Sequence, residues 1–223
     1  MPWRLAIGVL SVVALCAIGG FRTFFLLDDG GRGHRAAAPA ARDISSRDAD
    51  PNPLTVAEVF PGPTLTLTGP APGYPILASE SSTDCAGAVI GRLAAVVARA
   101  GCDQVVRATV RSPDGSYLVT LGVLNLADTV AAHRVYQQAK VLVDTGRGTF
   151  GGLSAGPGTE VLAGPAARVG WHVRGHFVVY GVVARADGGR ISDREPRTRQ
   201  ILSDLVPGYL RESVLGRRAA GRS

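Results

Sequence analysis

VVRATVRSPDGSYLVTLGVLNL, residues 105–126, decides the fold. Its first half alternates: Val106, Ala108 and Val110 point one way, and Arg107, Thr109 and Arg111 the other. This two-residue period is that of a strand with one buried face. Ser112-Pro113-Asp114-Gly115 then supplies turn chemistry, and Tyr117–Leu126 is an almost unbroken apolar strand. The pair reads as an antiparallel hairpin. A second copy of the pattern lies downstream: Val169, Trp171 and Val173 oppose Arg168, Gly170 and His172, Arg174-Gly175 turns the chain, and His176–Ala186 is apolar on both faces.

Helical signals surround the hairpins. Thr55-Val56-Ala57-Glu58 fits a capping box, ended by Pro61-Gly62-Pro63. Asp84 opens a helix to about Ala100, with Val89, Ile90, Leu93, Val96 and Val97 on one face and Gly101 as its stop. Asp128 caps another, on which Ala132, Val135, Tyr136, Ala139 and Leu142 share a face. The last begins near Glu195-Pro196 and is broken or kinked at Pro207-Gly208. The expected fold is α+β: a four-stranded antiparallel sheet of two hairpins, in the order helix-hairpin-helix-hairpin-helix, with helices packed on one face.

Ahead of this unit, Leu5–Phe21 carries no charge, and Phe24–Leu27 resume the apolar run after Arg22. Seventeen helical residues span about 25 Å, close to a bilayer core once Arg22 snorkels. The expected organisation is a cytoplasmic stub and transmembrane signal anchor over 1–27, a disordered linker over 28–53, an extracytoplasmic α+β domain over 54–217 and a basic tail over 218–223. A cleaved signal peptide, with Ala17-Ile18-Gly19 as its small-x-small site, and a lipoprotein signal at Cys16 are the alternatives. All three deliver the domain outside the cytoplasm, which makes the bilayer the first partner.

The 223 residues carry 24 Lys+Arg against 18 Asp+Glu, a formal charge of +6, with 46% hydrophobic residues. That apolar share excludes a wholly disordered chain, and 29 Gly and 14 Pro without period exclude collagen. Up to residue 42 there are five Arg against two Asp, and beyond it 19 basic against 16 acidic residues. The folded part is only mildly basic, and no nucleic acid is expected as a partner.

Gly101–Leu126 (GCDQVVRATVRSPDGSYLVTLGVLNL) and Arg174–Gly188 (RGHFVVYGVVARADG) resemble segments of actinobacterial membrane-anchored proteins that have no established activity. The resemblance covers roughly residues 54–217 and the short membrane segment, and implies a single-pass protein with an extracytoplasmic α+β domain. In architecture alone, the unit is similar to sensor or lipid-binding domains of mycobacterial-type envelopes.

Several motifs carry candidate chemistry. Cys85 and Cys102 form an even pair in an oxidising compartment. On one straight helix their sulfurs lie about 25 Å apart, so either Cys85 folds back ahead of a shorter helix, or the pairing is intermolecular, or both are buried thiols. Val141–Gly146 matches the apolar-apolar-Asp-Thr-Gly of aspartic proteases, but one copy cannot supply two coupled carboxylates, and a helix end is expected. Gly146–Gly151 satisfies G-x-G-x-x-G without a strand-to-helix turn, and a flexible loop is expected. His172 and His176 lack a third metal ligand nearby. No catalytic set, cofactor or metal is expected. The remaining constellation is an outer sheet face of Arg107, Arg111, Arg168, His172 and Arg174, suited to an anionic envelope polymer, lipid or protein surface through forked contacts. The favoured function is therefore a membrane-tethered extracytoplasmic binding or sensor module. An envelope hydrolase or transferase, with Asp144 and the glycine loop in its site, is the alternative. A scaffold that assembles through sheet edges, homodimeric in the simplest case, is the third reading.

Overall fold

The protein is described by a computed structural model over residues 41–192 and 194–221. The expected membrane anchor and the first part of the linker lie outside these residues, and among the described residues no helix is long and apolar enough to cross a membrane.

The elements follow in order. α1 (Val56–Val59) is capped as expected, Thr55 Oγ1 accepting from Glu58 N at 3.0 Å. β1 (Thr64–Leu65) and β2 (Tyr74–Ser82) precede a 3-10 turn (Cys85–Ala88), β3 (Val89–Gly91) and α2 (Leu93–Arg99). The expected hairpin is β4 (Gln104–Arg111) and β5 (Tyr117–Asn125). Asp128 caps α3 (Thr129–Asp144), and β6 (Gly148–Phe150) and a 3-10 turn (Glu160–Ala163) lead to the second hairpin, β7 (Arg168–Arg174) and β8 (Phe177–Arg185). α4 (Pro196–Ser203) continues into a π-helical stretch (Asp204–Val214) and α5 (Leu215–Ala219). The π winding carries Pro207 without ending the helix.

Six strands, not four, form the main sheet, which curls into a half-barrel in the order β1-β2-β4-β5-β8-β7, antiparallel throughout. β3 and β6 form a second small sheet. The helices cover both faces, not one. Packed on one face with Val106, Val119, Val179 and Val183 are Leu205, Val206, Leu210 and Val214 of the C-terminal helix. On the other, α2 and α3 bring Leu93, Val97, Val135 and Ala139 to Leu118, Leu124, Val178 and Val182. The cause is in the central strands: every residue of β5 and all but the last of β8 are buried, so neither face of the sheet can be left to water. The four-stranded, one-sided architecture is thus overturned.

Residues 89–91, expected within one helix, pair instead with 148–150, expected as a flexible loop. Gly148 allows this because a Cβ there would stand 2.8 Å from Leu93 N. Gly122 plays a comparable part in β5, where a Cβ would fall 2.2 Å from the Tyr180 ring.

The described end of the expected linker packs on the domain. His176 N and Nδ1 both donate to Ile44 O at 2.9 Å, and Arg42 N donates to Ala219 O at 2.8 Å. Gln104 brackets Leu54, accepting from its N–H at 3.0 Å and donating to its carbonyl at 2.7 Å. Arg218, expected in a tail, is 2% exposed. It donates to both oxygens of Asp50, at 2.5 and 2.9 Å, and to both of Glu58, at 2.8 and 3.0 Å.

Two predictions follow from this packing. Arg218→Ala leaves the buried Asp50 carboxylate without its main counter-charge and should lower unfolding free energy by about 3–5 kcal/mol. A urea midpoint within error of the parent contradicts that role. Burial holds His176 below its ordinary value of 6.5, outweighing the pull of its bond to Ile44. The unfolded chain therefore binds the extra proton, so the contribution is complete above about pH 6.5 and is lost as pH falls through that value. Urea midpoints should drop between pH 7.5 and 5, and His176→Asn should flatten the slope.

Candidate anion-binding face

The five residues expected on one solvated sheet face fall on two covered ones. Register aligns Arg107 with Gly122, Tyr180 and Trp171, on the side of α2 and α3. His172 aligns with Val179, Val123 and Val106, on the side of the C-terminal helix, together with Arg168 and Arg174. Arg107 is 8% exposed and meets Glu80 at 2.7 and 2.8 Å and the Gly87 carbonyl at 2.7 Å. Arg174 binds Glu212 at 2.7 Å, and Arg211 binds the same carboxylate at 2.9 Å. Arg168 donates to Ile191 O at 3.0 Å. Burial, and then the Arg211 charge, pull the His172 pKa down. Arg111 alone of the five is exposed, at the end of β4.

Inside the α2–α3 side runs a buried polar line. Thr109 donates to Leu153 O at 2.7 Å and Leu153 N donates to Thr120 at 2.9 Å, so the Thr120 hydroxyl donates to Thr109 at 2.8 Å. These bonds pin the glycine-rich segment to the sheet. Beside them Tyr180 Oη is buried with no hydrogen-bond partner of good geometry among the described residues, and burial pushes its phenol up to about 12 against the pull of the nearby Arg107 guanidinium.

The other motifs resolve plainly. Asp144 is exposed at the end of α3 and pairs with Lys140 at 3.0 Å. His176 is buried and His172 partly so, and among the described residues no group of three or more His, Cys, Asp or Glu is gathered for a metal. Cys85 and Cys102 are bonded, with Cα atoms 6.3 Å apart. The bridge closes because the 84–100 segment is broken by β3, so that Cys85 folds back to the far end of α2.

That bridge brackets a surface the sequence reading passed over. α2 and α3 lie side by side, Arg92 N donating to Arg147 O at 2.9 Å at one end and Ala127 N to Ala100 O at 3.2 Å at the other. Between them runs a groove of about 650 Å³, its floor Val96 and Leu142, its rims Arg92, Ala95 and Arg99 on one side and Gln137, Gln138 and Val141 on the other. Spacings of 3 and 4 residues put Arg92, Ala95 and Arg99 on one stripe of α2, and of 4, 3 and 4 put Val130, Arg134, Gln137 and Val141 on one stripe of α3. All of these stripe residues are exposed; Val130 and Val141 are 67% and 55% accessible.

Charge pairing is uneven across the domain. Arg42, Arg47, Arg107, Arg174, Arg185, Arg197, Arg211 and Arg218 each face a carboxylate. Arg92, Arg99, Arg134 and Arg147 face none among the described residues, and neither do Arg111, Arg190, Arg194, Arg199 and Arg217; Arg147 has the Thr145 hydroxyl, at 3.0 Å. Asp144, the carboxylate next in register on α3, is taken by Lys140. What sets this face apart is the company its cations keep: Arg92 and Arg99 rim an apolar groove, with Arg134 exposed beside it, which suits a ligand with anionic and apolar parts. The usable signal in the sequence was the Arg-Ala-Arg stripe opposite Leu93, Val96 and Val97.

Comparison with known protein families, with characterised proteins and with solved structures found no match to this chain.

Loss of the bridge tests how firmly this segment is held. The cross-link joins residues 17 apart, worth about 3 kcal/mol of unfolded-chain entropy. The Cys85→Ser/Cys102→Ser variant should lose about that much in a urea titration, and a loss under about 1 kcal/mol argues against the bridge as a brace.

Proposed function

We propose that the protein is a membrane-tethered extracytoplasmic binding module, held by its apolar N-terminal stretch, whose α2–α3 face takes an anionic component of the cell envelope. The observation that carries the reading is the groove itself: Arg92 and Arg99 stand on the rim of an apolar floor and face no carboxylate among the described residues, with Arg134 exposed on the neighbouring helix. Leaving cations unmatched on a face keeps the local potential positive and available to a ligand. The Cys85–Cys102 bridge supports an oxidising compartment. The uncharged Leu5–Phe21 stretch supports delivery across a membrane with the N-terminus inside.

The apolar floor favours binding over mere solvation. Val96 and Leu142 are buried, yet they form the bottom of an open groove, so an acyl or other apolar group can add to existing core contacts. Charge-assisted forks then orient the anionic end.

Two measurements test the proposal. Alkaline phosphatase fused to the C-terminus should be active and a fluorescent protein in the same place dark; the reverse pattern removes the compartment. Inorganic polyphosphate, used as the probe, should bind the full chain in detergent. Arg92→Ser/Arg99→Ser should weaken that binding at least tenfold, as expected from losing two charge-assisted contacts. Arg185→Ser, at a paired surface arginine, should leave it unchanged. Equal affinity for all three proteins removes the groove from the binding site.

A further inference from the structure

Resting on that reading, we infer that the anionic component is the headgroup layer of the protein's own bilayer, on which the domain lies with its α2–α3 face down. Two observations converge on this occupant.

The first is composition. Val130, Val141 and Ile90 are among the few large apolar side chains left exposed in the described residues, and all three accompany the unmatched arginines. Val130 and Val141 share the α3 stripe with Arg134, and Ile90 stands two residues before Arg92. Cations interleaved with exposed aliphatics are what a surface-lying helix needs: the guanidiniums reach phosphate while the aliphatics sink to the acyl boundary. A soluble polyanion would use the cations and leave the valines in water.

The second is the tether. Thirteen residues, 28–40, separate the last apolar residue of the N-terminal stretch from Ala41, and such a chain reaches at most about 45 Å. The domain cannot leave the neighbourhood of the headgroups.

The test uses the full chain in lipid nanodiscs that contain a headgroup-linked photocrosslinker, with adducts mapped by mass spectrometry. In discs with about one-third phosphatidylglycerol, adducts should concentrate within 90–99 and 130–147, at least fivefold above the C-terminal helix. They should fall at least fivefold in 0.5 M salt, in pure phosphatidylcholine discs, and in the Arg92→Ser/Arg99→Ser/Arg134→Ser variant, because contact with an anionic surface is screened and scales with the number of basic residues near it. A urea midpoint matching the parent shows that the variant is folded. Adducts spread evenly over the domain, or insensitive to lipid charge and salt, overturn the proposal. So does retention of polyphosphate binding without headgroup adducts, which leaves the binding function intact with a different ligand. Extraction of the chain from the discs by alkaline carbonate instead removes the anchor, and this proposal with it.

Discussion

The Arg218 guanidinium, enclosed by Asp50 and Glu58, is the contact on which the two ends of the domain depend. It joins residues 168 and 160 positions apart, is 2% exposed, and lies 5.7 Å from the centre of the Phe177 ring. Arg42 approaches the same Asp50 at 3.5 Å, so two cations meet two carboxylates and the buried cluster is neutral. A neutral, multiply bonded cluster tolerates burial; any one member removed leaves a charge that water cannot reach. Because the cluster sits where the 41–54 strap, α1 and the last helical turn converge, it fixes how the chain enters the domain and how the long C-terminal helix lies on the sheet. Tyr209, donating to Val59 O at 2.6 Å, adds a second fastening between the same elements.

The sheet imposes the other constraint. β5 and β8 are apolar on both faces, so each face needs a helical cover, and the two covers differ in chemistry. The C-terminal layer is tied to the domain by Arg218, Tyr209 and the Arg174–Glu212–Arg211 set. The α2–α3 layer is held by the Cys85–Cys102 bridge and by apolar packing, which leaves its outward arginines uncommitted.

How far this was legible depends on which residues carry local information. The Thr55 and Asp128 caps, the Ser112–Gly115 turn and both hairpins declare themselves, because caps, turns and alternation are set by near neighbours. β2 does not: Ser79, Glu80, Ser81 and Ser82 carry no apolar alternation, and only the Glu80–Arg107 pair across the sheet justifies them. The same pair explains why Arg107 reads as a solvated residue and is buried. Val89–Gly91 follow a helical pattern, yet Phe150, sixty residues away, recruits them to a strand. Alternation places Arg107 and Arg168 on definite sides of their strands but cannot say that those sides are opposite faces of the sheet. The arginines of the candidate face were legible in principle from helix periodicity. They stand out only once the packing of α2 against α3 shows the apolar groove that they rim.

A tether changes what such a face must achieve. A free domain needs micromolar contacts to remain on a surface, whereas one held within about 45 Å meets it at an effective concentration set by the linker. Each arginine near an anionic surface contributes on the order of 1 kcal/mol, and an exposed valine a similar amount when its methyls leave water. Four arginines and three aliphatics, about 7 kcal/mol together, would hold a free domain only weakly, at about 10 μM, yet would suffice to orient a tethered one. A larger apolar patch would gain little and would expose the domain to aggregation during export. On the proposed reading, the modest size of the α2–α3 face is what a short tether would call for, since an anchor would supply proximity and the face would have only to select which side of the domain turns to the membrane.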